Sequence, residues 1–207
     1  MKIICNRISR LYPNSIYGFI HNLNMGFTSF EIDLNTCINE VILYNYDYFN
    51  GKHIKYLYKQ NFCLDGKYCV NTFMEFIDVL NNYNNLDIFF DIKGSDIDII
   101  EYIYFIYPRL NTNNQYFFQS YNYNFLKKLK RKIPSINCGL LVNGYIPIKK
   151  KMLKYIDFFC IKEDFIHCFS EYGKDIYLWN IIYNNDIINY KNAGVKGIIT
   201  NYPENFQ

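Results

Sequence analysis

Hydrophobic positions along this chain switch repeatedly between two spacings. Short runs of β-branched and aromatic residues give way to stretches in which apolar residues recur every three or four positions. The runs predict strands over residues 2–5, 29–33, 86–92, 115–120, 137–142, 157–161, 175–180 and 197–200. The helical spacing predicts helices over 16–24, 72–82, 97–107, 122–132, 148–154 and 186–192, with a short helical turn near 165–170. In the helix over 72–82, for example, Phe73, Phe76, Ile77 and Leu80 share one face, whereas 86–92 is almost continuously apolar, as a strand buried on both faces must be. Strand and helix alternate throughout, so the class is α/β with parallel strands.

Eight such strands are the number that closes a (β/α)8 TIM barrel. Residues 40–44 stand outside that count. They follow the second strand too closely for a parallel crossover, so they are expected to pair antiparallel with it, as an arm that returns 44–47 toward Glu31 and Asp33. An open doubly wound sheet is the alternative, but no glycine-rich loop follows the first strand, and Arg7-Ile8-Ser9-Arg10 is a poor phosphate cradle.

Composition narrows the picture. With 207 residues, 50% of them hydrophobic, the chain can bury one substantial core, and one domain over 1–207 is expected. Ten Gly and five Pro exclude a collagen-like or linker-dominated chain. The 22 Tyr, 18 Phe and single Trp, with abundant Asn, Ile and Lys, resemble the drift of an AT-rich genome, so no Asn or Tyr is special by abundance. A net charge of +3 exerts little pull on nucleic acid, and the basic run 127–132 reads as a solvated helix C-terminus. No signal peptide or transmembrane stretch is visible, which leads us to expect a soluble, intracellular protein with no nucleic-acid partner. The seven cysteines form no CxxC pair or zinc spacing; neither a zinc site nor a disulfide framework is indicated, and most are expected to be buried thiols in a reducing compartment.

In a parallel barrel, reactive groups sit at the C-terminal ends of the strands. Read in order, those ends carry Asn6 and Arg7, then Glu31 and Asp33, Asn45 on the arm, Asp91 and Lys93, Ser120, and Trp179. Alternate residues of a strand share a face, so Glu31 and Asp33 point together into the mouth, and Asp91 and Lys93 repeat the relation. Three carboxylates can hold a hard divalent cation such as Mg²⁺ or Ca²⁺, and Arg7 and Lys93 can clamp a phosphate. The alternative is a set of buried ion pairs with no further role.

The ordered motifs resemble those of the glycerophosphodiester phosphodiesterases. That family opens with His-Arg-Gly and Pro-Glu-Asn-Thr, here Asn6-Arg7-Ile8 and Pro13-Asn14-Ser15; its Glu-x-Asp is Glu31-Ile32-Asp33, and its His-Asp is Asn45-Tyr46. Its Pro-Thr-Leu helix start is Asn71-Thr72-Phe73, its Glu-x-Lys is Asp91-Ile92-Lys93, and its Ser-Phe is Ser120-Tyr121. The tryptophan strand is Tyr177-Leu178-Trp179, and the closing signature runs from Gly194 to Pro203. The resemblance implies a metal on Glu31, Asp33 and Asp91, phosphate contacts from Arg7 and Lys93, and a substrate pocket at Ser120 and Trp179.

It also implies a loss. The family's two histidines act as general acid and base, and both positions hold Asn here, Asn6 and Asn45. A carboxamide has no proton to exchange near neutral pH, and a proton-transfer group is worth roughly 10²- to 10⁴-fold in rate. Of the remaining histidines, His21 and His167 fall on outer helical segments, and only His53 follows the arm near the mouth. The stretch before Thr72 is short, so the family's lid is reduced, and the last outer helix is short or missing. The expectation is a phosphodiesterase-like protein that binds a metal and a glycerophosphodiester headgroup with impaired or absent hydrolysis. A slow or altered phosphodiesterase and a non-catalytic interaction barrel are the alternatives.

Overall fold

A computed structural model describes residues 1–63, 69–93, 97–183 and 186–206. Eleven strands are described: β1 (Lys2–Cys5), β2 (Ser29–Cys37), β3 (Glu40–Leu43), β4 (Tyr48–Phe49), β5 (Lys52–His53), β6 (Asp87–Ile92), β7 (Gln115–Ser120), β8 (Asn137–Val142), β9 (Phe158–Ile161), β10 (Asp175–Trp179) and β11 (Gly197–Thr200). Eight are parallel neighbours in the order β2, β6, β7, β8, β9, β10, β11, β1, and the pairing of Cys5 with Phe30 closes the ring. The helices α1 (Ile16–Asn24), α2 (Phe73–Leu80), α3 (Ile97–Ile106), α4 (Tyr123–Lys132), α5 (Ile166–Ser170) and α6 (Ile187–Asn192) lie between strands. This is the closed (β/α)8 barrel that the alternation predicts. The expected arm is β3, paired antiparallel with the extension of β2 from Leu34 to Cys37.

Each strand divides its side chains between two cores. Outward residues meet the helices: Phe19 of α1 packs on Phe30 at 5.0 Å, and Phe73 of α2 on Phe90 at 5.0 Å. Inward residues fill the barrel with an apolar plug that includes Ile4, Phe89, Phe117, Phe158 and Tyr177, with Phe89 stacked on Phe117 at 4.2 Å. Gly139 makes room for this plug, because a Cβ there would lie 2.1 Å from the Phe158 ring. Helix starts are capped as the sequence suggests. Ser15 Oγ accepts from Gly18 N–H at 3.0 Å, and Thr72 and Glu75 cap each other's backbone N–H groups. The basic end of α4 is tied locally, with Lys130 on Asp157 and Lys132 on Glu101.

Two expectations change. Residues 148–154 do not form an α-helix; a 3₁₀ helix spans Lys150–Tyr155 instead, and none of its residues is fully buried, so it lacks the packed apolar face that sustains a short α-helix. Among the described residues after β11 there is a 3₁₀ turn, Pro203–Phe206, in keeping with the expected short or missing last helix. Two cysteines are not free thiols: Cys63 and Cys69 form a disulfide with Cα atoms 4.1 Å apart. Their neighbours Phe62 and Val70 are anchored in one apolar cluster beneath the arm, which brings the cysteines together in a way that spacing does not reveal. Cys5, Cys37, Cys138 and Cys160 are free and buried as expected, and Cys168 is half-buried. No helix among the described residues is long and apolar enough to cross a membrane.

Candidate active site

Above the apolar plug, at the C-terminal ends of the strands, lies a cavity of about 240 Å³. Asn6, Arg7, Glu31, Asp33, Asp91, Lys93 and Trp179 line it, as the strand ends predict. Glu31 and Asp33 arrive from β2 and Asp91 from β6, where Asp33 and Asp91 are directly paired across the sheet. Each of the three carboxylates offers an oxygen within 4.8 Å of the others, and all three residues are buried.

The loop after β1 fixes this trio. Arg7 and Ile8 both take left-handed backbone, with φ of 51° and 68°. Such a conformation costs roughly 1–2 kcal/mol per residue for side chains with a Cβ, and more for a β-branched one. It is held because the turn aims the Arg7 N–H at Glu31 Oε2 (2.8 Å) and the Ile8 N–H at the Glu31 carbonyl (2.7 Å), while the Ile8 side chain is fully buried. Asn14, also left-handed at φ 52°, donates from Nδ2 to Asp33 Oδ2 at 2.8 Å and accepts from the Asp33 N–H at 3.0 Å. The Arg7 guanidinium approaches Asp33 at 3.5 Å. Lys93 Nζ lies 2.8 Å from Asp33 and pairs with Asp91 as well.

Three carboxylates around one ammonium leave negative charge in excess. Burial pushes the Glu31 carboxyl well above the ordinary carboxylate range, and its neighbours Asp33 and Asp91 push it further. Burial likewise raises Asp91 to about 6, against the opposing pull of Lys93. The lysine is driven upward by Asp91 and Asp33 despite its own burial, so it stays cationic. Asp91 Oδ1 is buried and has no hydrogen-bond partner among the described residues. An all-oxygen donor set with excess negative charge and an unpartnered carboxylate oxygen fits a hard divalent cation.

Two expected site residues lie elsewhere. Ser120 points into the barrel wall, where its Oγ donates to the Ile92 carbonyl at 2.9 Å and accepts from the Asn122 N–H at 3.2 Å. Alternation explains it: Gln119 and Tyr121, its neighbours on either side, line the cavity in its place. Asn45 lines an adjoining groove with Tyr44, Tyr46 and Phe49, and Arg7 stands between that groove and the main cavity. The remaining lining residues not anticipated are Leu141, Asn180, Ile199 and Asn201, of which Asn201 accepts from Asn6 Nδ2 at 2.8 Å. Gln119 shares a face with Phe117, and the phase of β7 turns that face inward. No histidine lines the cavity. His21 sits on α1 beside Asn22, His53 pairs with Tyr48 in the β4–β5 hairpin, and His167 is exposed on α5.

Solved structures with the same barrel are numerous, and several resemble this chain over nearly its whole length. A phosphodiesterase of Oleispira antarctica, solved with its product sn-glycerol-3-phosphate, superposes with a TM-score of 0.84 at 17% identity, covering 99% of this chain and 94% of that one. A glycerophosphodiester phosphodiesterase of Parabacteroides distasonis gives 0.82 at 18% identity, covering 98% and 93%. The fold is that of the glycerophosphodiester phosphodiesterases. A Ca²⁺-dependent phosphatidylinositol-specific phospholipase C of Streptomyces antibioticus is similar at a TM-score of 0.64 and 10% identity, covering 99% and 95%. No protein-family model matches the sequence, and no curated protein matches it either.

Proposed function

We propose that this barrel binds a divalent cation and a phosphodiester of the glycerophosphodiester class, with hydrolysis impaired or absent. The observation that carries the reading is the make-up of one cavity: three converging carboxylates, Arg7 and Lys93 line it, and no histidine does. Glu31, Asp33 and Asp91 would hold the cation, which supplies positive charge to polarise a phosphoryl oxygen. Arg7 and Lys93 bind and orient the phosphate, Arg7 with its fork of N–H donors and Lys93 as a point charge held in place by Asp33 and Asp91. The left-handed turn at Arg7 and Ile8 keeps the Glu31 carboxylate fixed, and Asn14 does the same for Asp33.

What the cavity lacks is a histidine; its two carboxyls with raised pKa, Glu31 and Asp91, are among the groups that would hold the cation. Asn6 stands where the resemblance to the glycerophosphodiester phosphodiesterases implies a histidine, and its carboxamide donates to Asn201 rather than exchanging a proton. Tyr121, whose phenol burial pushes up to about 12, is a neutral donor at ordinary pH and cannot serve as a base. No cysteine is among the described residues that line the cavity: Cys63 and Cys69 are joined in a disulfide, Cys5, Cys37, Cys138 and Cys160 are buried, and the half-buried Cys168 lies on α5.

Calorimetry tests the reading. Mg²⁺ or Ca²⁺ should bind the wild-type chain at one site, and Glu31→Ala should abolish that binding. No heat at millimolar metal would overturn it. Restoring Asn6→His together with Asn45→His tests the proton-transfer half, and glycerol 3-phosphate release that requires the cation is expected to appear.

A further inference from the structure

The cavity is charged on the side formed by β1, β2 and β6 and uncharged on the side formed by β7, β8, β10 and β11. The uncharged side carries its own chemistry. Gln119 of β7 is 1% exposed, and its Oε1 has no hydrogen-bond partner among the described residues. A buried acceptor left unpaired costs roughly 1–3 kcal/mol, which a ligand hydroxyl would recover. Close by, Trp179 and Tyr121 meet edge to face at 6.3 Å and offer an apolar surface.

The same side is unfit for a cationic group. The Trp179 ring is already paired with a cation, since the exposed Lys162 Nζ lies 5.6 Å from its centroid. The indole N–H is used as well, donating to the Cys160 carbonyl at 3.3 Å. The carboxylates do not serve an ammonium here: they stand on the opposite side of the cavity, where Lys93 pairs with Asp33 and Asp91 and the divalent cation of the proposed function would take up the remaining negative charge.

Resting on the reading of the site given above, we infer that this half of the cavity selects phosphodiesters whose alcohol is an uncharged polyol over those whose alcohol carries an ammonium. A polyol hydroxyl donates to Gln119 Oε1 and lays its C–H face against Trp179 and Tyr121. A choline ammonium cannot donate to Gln119 Oε1 as a hydroxyl does, and any ammonium is repelled by Lys162, whose charge already sits over the Trp179 ring; such a repulsion in a partly solvated site is worth about tenfold in affinity.

The experiment is calorimetry in saturating Ca²⁺ with glycerol 3-phosphate, glycerophosphoglycerol, glycerophosphoinositol, glycerophosphocholine and glycerophosphoethanolamine. Wild-type protein should bind the glycerol and inositol diesters about tenfold more tightly than the choline and ethanolamine diesters. Lys162→Ala, at an exposed position outside the metal and phosphate contacts, should strengthen binding of the choline diester severalfold and leave glycerol 3-phosphate unchanged. Gln119→Leu should weaken the glycerol diester and leave the choline diester unchanged. If glycerol 3-phosphate binds but the polyol and ammonium diesters bind within twofold of each other, or if Lys162→Ala leaves their ratio where it was, the selectivity is overturned and the site reading stands. If none of the five binds, both fall.

Discussion

Asp91 makes the electrostatics of the carboxylate trio measurable. Its folded pKa is raised from 3.8 to about 6, and the residue is 5% exposed, so solvent screening discounts little of that shift. At about 1.4 kcal/mol per unit, the shift amounts to about 3 kcal/mol. A carboxyl whose folded pKa is raised favours the fold when protonated. Its contribution is therefore fully present below the unfolded value of 3.8 and is lost as pH climbs through about 6. Glu31, raised for the same reasons, acts in the same direction. Urea denaturation of the metal-free chain, followed by circular dichroism between pH 4 and pH 7.5 in the presence of a chelator, should show stability falling with pH. In Asp91→Asn that fall should shrink by about 3 kcal/mol, because the amide carries the shape without the charge. Parallel wild-type and Asp91→Asn profiles across this window would refute the reasoning.

Other perturbations probe separate parts of the site. Lys93→Met removes the ammonium between Asp33 and Asp91 and should cost roughly 3–5 kcal/mol at pH 7.5, part of it recovered by millimolar Ca²⁺ in a thermal melt; an unshifted melt would contradict the pairing. Asn14→Gly keeps the left-handed turn but loses both bonds to Asp33, so it should weaken metal binding in calorimetry while lowering stability by about 2–4 kcal/mol. Gly139→Ala drives a methyl into the Phe158 ring and should destabilise by roughly 1–3 kcal/mol in urea, with metal affinity per folded molecule unchanged.

Much of this architecture is legible in the sequence. The barrel followed from alternation of spacing, and the antiparallel arm from a connection too short for a crossover. The carboxylate trio followed from strand period, because Glu31, Asp33 and Asp91 repeat on the inward face of adjacent strands. What could not be read depends on contacts across the fold. Ser120 and Gln119 are adjacent in sequence, and only the phase of β7 decides which of them enters the cavity. Asn45 sits beyond the paired part of the arm, where no register fixes its direction. The disulfide arises because Phe62 and Val70 share an apolar cluster, and the Asn14 clamp on Asp33 depends on a left-handed turn that sequence only permits.

Binding without turnover is most directly tested in one incubation. The chain is held at equilibrium with glycerophosphoglycerol and Ca²⁺ or Mg²⁺ in a dialysis cell, and bound diester and released glycerol 3-phosphate are measured together, with Glu31→Ala alongside. Retained diester that requires the cation, with release no greater than that of Glu31→Ala, is the expected result. Release that requires both the cation and Glu31, or no retention at all, would contradict it.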